Sequence, residues 1–151
     1  MLYRPYQPDD FAALYAIEEA CFEPLLRFTR RYMRQLLKRA DAAAWVVEEE
    51  GLMAGFAIVG WSGPPAAIFA YIETIEVLAE MRGKGLGGEL LRRIEASALA
   101  AGAGLIALHV DAANAAAIRL YEAHGYELAG REENFYPLGR AALIYRKLLA
   151  A

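Results

Sequence analysis

The stretch Ile68-Phe69-Ala70-Tyr71-Ile72-Glu73-Thr74-Ile75-Glu76-Val77-Leu78, followed three residues later by Arg82-Gly83-Lys84-Gly85-Leu86-Gly87-Gly88, decides how the chain is built. Its first part is rich in β-branched and aromatic residues and predicts a long strand over 68–78. The glycines then turn the chain into a helix. From Leu86 onward, Leu86, Leu90, Leu91, Ile94 and Ala98 fall on one helical face, and Glu89, Arg92, Arg93 and Glu95 fall outside it. Gly102 and Gly104 end that helix, and Leu105 to Val110 reads as a buried strand. A strand, a helix and a strand at this spacing form a right-handed crossover, so segments 68–78 and 105–110 are expected to lie parallel.

Outward from this unit the chain reads differently. Leu2 to Pro5 predicts a short strand. Pro8-Asp9-Asp10 predicts a helix start, because Pro fits the first turn and acids there favour the helix dipole; Phe11, Leu14, Ile17 and Cys21 continue its apolar stripe. A second helix is expected over about Thr29 to Ala40. Ala44 to Glu49 and Leu52 to Trp61, joined at Glu50-Gly51, leave room only for an antiparallel hairpin. Beyond the central unit, Asn114 is a candidate N-cap for a helix running to His124, stopped by Gly125 in the left-handed conformation. Two last strands are expected over Tyr126 to Arg131 and Ala141 to Leu148. The fold class is therefore α/β: one domain over 1–151, a mixed and mostly antiparallel sheet with one central parallel pair, and about four helices.

Composition excludes several functions. The chain has 151 residues, 58% of them hydrophobic, and a formal charge of -3, which suits one globular core and argues against nucleic acid as the main ligand. The longest apolar run, Ala66 to Ile72, is far short of the roughly 20 residues that span a bilayer. No export signal is visible at Met1-Leu2-Tyr3-Arg4-Pro5, so the expected location is the cytoplasm, with no membrane partner. Cys21 is the single cysteine, and the two histidines, His109 and His124, lack metal-ligand spacing; no metal is implied. Cys21 reads as a buried helix residue rather than a nucleophile, and His124 as a partner of its helix's C-terminal dipole.

The glycine corner carries the first chemical signal. At a helix N-terminus successive backbone N–H groups lack intrahelical partners, and glycines let a ligand approach them. With Arg82 and Lys84 beside it, the corner suits a phosphate or pyrophosphate. It is also compatible with a tight strand-to-helix turn. Gly83-x-Gly85-x-x-Gly88 matches the dinucleotide fingerprint, but that belongs at the first strand of repeated parallel units. A nucleotide-binding Walker loop would need Gly-Lys-Ser/Thr, which does not occur here.

Arg82-x-x-Gly85-x-Gly87 after Ile75-Glu76-Val77, together with Asn114-x-x-Ala117-Ile118-x-Leu120-Tyr121-x-x-x-Gly125-Tyr126, resembles the two main motifs of the GNAT acyl-CoA-dependent N-acetyltransferases. The resemblance is strongest over 68–136. It implies that the parallel strands splay to admit acetyl-CoA as co-substrate. It implies contacts to the cofactor from Ile75, Val77, Arg82, Gly83, Lys84, Gly85, Leu86, Gly87, Gly88, Asn114 and Tyr121. Tyr121 resembles the family's general acid; its other role is packing on the sheet beside Ile118 and Leu120.

Leu108-His109-Val110-x-x-x-Asn114 and Glu133-Asn134-Phe135-Tyr136 resemble the branch that acetylates protein N-terminal amines, including the ribosomal-protein alanine enzymes, where a Glu usually stands at the position of His109. Tyr71, Phe22 and Tyr136 are the substrate-side residues this implies. Two bases compete, His109 on the second parallel strand and Glu73 on the first. Deprotonating an α-amine of pKa about 7.8 at pH 7 costs roughly 1 kcal/mol, against roughly 4.6 kcal/mol for a lysine-like amine near 10.4. An N-terminal acceptor therefore fits His109, and a more basic small amine fits Glu73. Glu76, three residues further on, is expected to face away from Glu73 unless the strand carries a bulge. The second helix concentrates Arg27, Arg30, Arg31, Arg34, Lys38 and Arg39, either as a solvated face or as a dock for an acidic surface. A monomer and a homodimer are both compatible with the sequence.

Overall fold

β4 (Phe69–Val77) and β5 (Leu105–Asp111) run parallel and are joined by α3 (Leu86–Ala100), as their spacing requires. The structure is a computed structural model and describes residues 1–149. The two strands pair only at Phe69–Leu105, Ala70–Ile106 and Tyr71–Ala107. Beyond Tyr71 they part. The divergence coincides with a β-bulge: Ile72 pairs with Val59 and Thr74 with Ile58, leaving Glu73 without a partner on the neighbouring strand. A bulge bends its strand and adds twist, which carries β4 away from β5. It also shifts the side-chain alternation, so that Glu73 and Glu76 both reach the face covered by the first two helices, where they meet Arg39 and Glu18. An unbroken strand would have sent them to opposite faces.

The other elements are β1 (Leu2–Pro5), α1 (Phe11–Cys21), α2 (Arg30–Lys38), β2 (Ala42–Glu49), β3 (Leu52–Ser62), α4 (Ala115–Ala123), β6 (Glu127–Tyr136) and β7 (Arg140–Leu148). They form one seven-stranded sheet in the order β1-β2-β3-β4-β5-β7-β6, antiparallel except at β4–β5. β7 inserts between β5 and β6, so the last hairpin extends the sheet on the side of β5 away from the splay. α2 ends at Lys38 rather than Ala40. β6 runs five residues past the expected Arg131, because its pairing with β7 continues irregularly to Tyr136–Arg140. Glu132-Glu133-Asn134 lacks strand-like composition, and edge position with both faces largely exposed is what admits it.

Each sheet face has its own core. On one side Leu86, Leu90, Leu91 and Ile94 of α3 pack with Val59, Ile72, Ile106, Leu108 and Tyr121. On the other, Phe11, Leu14, Ile17 and Met33 pack with Val46, Phe56 and Ile58. The basic residues near α2 serve this second layer. Arg34 lies 3.8 Å from the centre of the Phe11 ring, and Arg30 4.5 Å from that of Tyr15. Arg27 donates to the carbonyls of Phe22 and Glu19 at the end of α1, where the helix dipole favours a cation. Half of the six thus clamp α1. No helix among the described residues is long and apolar enough to cross a membrane.

Candidate active site

The corner after β4 is held open. Gly83 and Gly85 take left-handed φ angles of 81° and 82°, and a Cβ on either would meet nothing within 4 Å. Gly85 is the N-cap of α3. Among the described residues no backbone carbonyl accepts from the amides of residues 83–88; the first such bond runs from Glu89 N–H to the Gly85 carbonyl, at 3.2 Å. A row of bare donors at the positive end of a helix suits a diphosphate. Gly87 and Gly88 have a different reason to lack side chains. A Cβ at Gly87 would meet Leu120 at 3.4 Å, and one at Gly88 would meet the His124 ring at 3.1 Å, so these two let α4 pack on α3.

From this corner a cleft of about 400 Å³ runs along β4 beyond the point where it parts from β5. Ile75 and Val77 form one wall, the first turns of α3 and α4 the other, and Cys21 and Phe22 the roof. Arg82 lies in it with its Nε bonded to the Val77 carbonyl at 3.0 Å. Leu86 is anchored in the core, so only its amide is offered, and Lys84 lies outside the lining. Asn114 caps α4 by accepting from Ala117 N–H at 3.1 Å, which places it where the strands part. Cys21 is partly buried, which pushes its thiol up and keeps it protonated, consistent with a packing role.

The cleft opens into an inner cavity of about 150 Å³ lined by Phe22, Leu26, Phe28, Glu73, His109, Asn114, Tyr121 and Tyr136, among others. Phe22, Ile75, Asn114 and Ala117 line both spaces. The cavity joins residues from four separate parts of the chain. Tyr71 Oη lies 2.8 Å from His109 Nδ1, and the His109 ring stacks on Phe135 at 4.1 Å with 3° between planes. Phe135 in turn meets the Tyr136 ring edge to face. His109 Nε2 is 3.7 Å from Glu132. The opposite wall carries Glu73, whose carboxylate lies 3.6 Å from Arg39.

Burial dominates the electrostatics. It raises Glu73 above the ordinary carboxylate range, and Arg39 only partly opposes it. Burial likewise pushes the phenol of Tyr136 up to about 12, and holds Tyr71 and Tyr121 well above the usual value for tyrosine. Tyr121, at 7% exposure, therefore stays a proton donor across the neutral range.

Of the residues singled out in the sequence, Glu73, His109, Asn114, Tyr121, Phe22 and Tyr136 meet at the cavity, with Tyr71 bonded to His109. Sequence reasoning did not single out Phe28, Leu26, Phe135, Glu132 or Arg39 for this cavity. Phe135 lay inside a quoted motif and Arg39 inside the basic cluster, but only the fold brings them to His109 and Glu73.

A family model described as the acetyltransferase (GNAT) family matches residues 11–126. The streptothricin acetyltransferase of Streptomyces lavendulae is 38% identical over 98 residues, 64% of this chain and 51% of that protein. This chain spans about half or less of the curated relatives it matches. Among solved structures, the ribosomal-protein-S18-alanine N-acetyltransferase from Escherichia coli superposes with a TM-score of 0.85 at 25% identity, covering 99% of this chain and 94% of that one. The ribosomal-protein-alanine N-acetyltransferase from Brucella melitensis does so with a TM-score of 0.81 at 25% identity, covering 99% of this chain and 100% of that one.

Proposed function

Since the chain belongs to the GNAT acetyltransferase family, we propose that it transfers acetyl from acetyl-CoA directly to a primary amine, with a protein or peptide N-terminal α-amine as preferred acceptor. The observation that carries this reading is the continuity of cleft and cavity through Phe22, Ile75, Asn114 and Ala117. Acetyl-CoA bound with its diphosphate on the amides of residues 83–88 would lay its pantetheine arm past Val77 and Ile75. The thioester then arrives at the junction, beside Tyr121, with His109 and Glu73 ahead of it.

The chemistry follows from those groups. The neutral amine attacks the thioester carbonyl carbon, the C–N bond forms and the C–S bond breaks. The departing thiolate takes the Tyr121 proton, and the amine's surplus proton goes to a base, after which solvent restores both. His109 serves as that base in the tautomer whose Nδ1–H donates to Tyr71 Oη, because Nε2 then keeps its lone pair. An α-amine needs no stronger base than an imidazole.

A second reading is favoured by Glu73, a half-buried carboxylate on the cavity wall, and by the likeness to a streptothricin acetyltransferase. In it the acceptor is a more basic small amine and Glu73 takes the proton. An acceptor screen separates the two: peptides with varied first residues beside polyamines and aminoglycosides, with release of the CoA thiol as readout. The first reading expects peptide turnover that His109→Ala abolishes. Turnover confined to small amines and lost in Glu73→Gln would replace it with the second.

A further inference from the structure

Glu18 and Glu76 take no part in the transfer chemistry, yet both carboxyls are buried, at 1% and 3% exposure. Each has one oxygen engaged. Glu18 Oε2 accepts from Phe28 N–H at 2.8 Å, and Glu76 Oε2 accepts from the Thr74 hydroxyl at 2.7 Å. The other oxygens, Glu18 Oε1 and Glu76 Oε1, are buried with no partner among the described residues, while the two carboxyls lie within hydrogen-bond reach of each other. Two carboxylates side by side, with these oxygens shut off from solvent, resist ionising together. A single proton held between the free oxygens satisfies both.

We propose that Glu18 and Glu76 share one proton, and that the resulting bond is a latch positioning the α1–α2 loop over the acceptor cavity. Both ends of the latch reach the site. On α1, Glu18 holds the Phe28 amide and Tyr15 Oη donates to the Phe28 carbonyl at 2.6 Å, so the loop that supplies Phe22, Leu26 and Phe28 hangs from this helix. On β4, Thr74 follows the bulge that turns Glu73 into the cavity. The latch therefore ties the loop over the cavity to the strand forming one of its walls. Glu18 and Glu76 are positioning residues, and their role for the acceptor rests on the function proposed above.

The pair is a cost to stability that grows with pH. Burial, and then Glu18 itself, push Glu76 up to about 10. The groups facing it are Glu18 and Cys21 from α1 and Thr74 on its own strand; Arg82, from the glycine corner, reaches Cys21 Sγ at 3.8 Å and pairs with neither carboxyl. The folded state thus keeps a proton that the unfolded chain releases near the ordinary carboxylate value, and stability falls as pH rises between those two points. Glu76→Gln removes this dependence. Its amide donates to Glu18 Oε1 and its carbonyl accepts from Thr74 without any proton to hold.

The test compares the parent with Glu76→Gln and Glu76→Leu in the full chain. The parent is expected to show the infrared carbonyl band of a protonated carboxylic acid at pH 7.5, absent from Glu76→Gln. The melting temperature of Glu76→Gln should exceed that of the parent by a margin that widens from pH 5.5 to pH 9. Hydrogen exchange at the Phe28 amide should quicken at least tenfold in Glu76→Leu and stay within threefold of the parent in Glu76→Gln. Acceptor KM should follow the same order. A missing band, a margin constant with pH, or equal Phe28 exchange in the two variants would overturn the latch. The band, the melting margin and the exchange rates need no turnover, so they decide the latch even if no amine is acetylated.

Discussion

Tyr71 Oη sits 2.8 Å from His109 Nδ1, bridging β4 and β5 from the last residue pair that joins them, Tyr71–Ala107. The bond spans the root of the splay and fixes one ring nitrogen of His109, while the flat stack on Phe135 fixes the ring plane. Removing the hydroxyl leaves the stack but frees the choice of tautomer. A neutral hydrogen bond is worth about 0.5–1.5 kcal/mol. Tyr71→Phe is accordingly expected to lower acceptor kcat/KM by about threefold to tenfold while acetyl-CoA affinity stays within twofold, as measured by steady-state kinetics and calorimetry.

Tyr121→Phe tests the acid. The Tyr121 ring is buried against Tyr126, at 5.6 Å between centroids, so a phenylalanine retains the packing. Positioned proton transfer contributes on the order of 10² to 10⁴ in rate. The variant should lose kcat by that factor with acetyl-CoA affinity and melting temperature nearly unchanged. In the parent, kcat should show no alkaline fall from this group below pH 10, because burial holds the phenol above its usual value. An unimpaired kcat would reduce Tyr121 to a core residue.

Some of this was legible in the sequence and some was not, for physical reasons. Hydrophobic periodicity and glycine placement are local, so β4, α3 and β5 and their parallel order could be read directly. The bulge at Glu73 could not, since it is defined by which residues of β3 face Ile72 and Thr74. The same holds for Arg39 beside Glu73 and Phe135 on His109, which join segments distant in the chain. In the sequence the glycine corner reads as a single phosphate site; the structure divides it into Gly83 and Gly85, which shape the turn, and Gly87 and Gly88, which admit α4.

That division makes a prediction of its own. Left-handed backbone costs a residue with a side chain roughly 1–2 kcal/mol. Gly83→Ala and Gly85→Ala should therefore distort the turn and weaken acetyl-CoA binding by about tenfold in calorimetry, this factor following from the same 1–2 kcal/mol strain. Gly87→Ala, whose Cβ meets the side chains of Leu120 at 3.4 Å and Val77 at 4.0 Å, should bind within about threefold of the parent.

Arg39 supplies a pH test of the base. It is the cation that opposes the upward push of burial on Glu73. Its removal disfavours the charged carboxylate, so the Glu73 pKa should rise further in Arg39→Ala. If Glu73 takes the proton, the acid limb of the acceptor kcat/KM profile moves to higher pH. With His109 as base, as proposed, the limb stays where it is in the parent, and a shift would transfer the role to Glu73.

Acetyl transfer itself is tested most directly by mixing the protein with acetyl-CoA and a peptide bearing a free N-terminal alanine, then counting thiol released and α-amine acetylated. Continuous turnover is expected, with one acetylated N-terminus per CoA thiol, and near silence from Tyr121→Phe. Firm binding of acetyl-CoA without thiol release, from this peptide or any other primary amine, would contradict it.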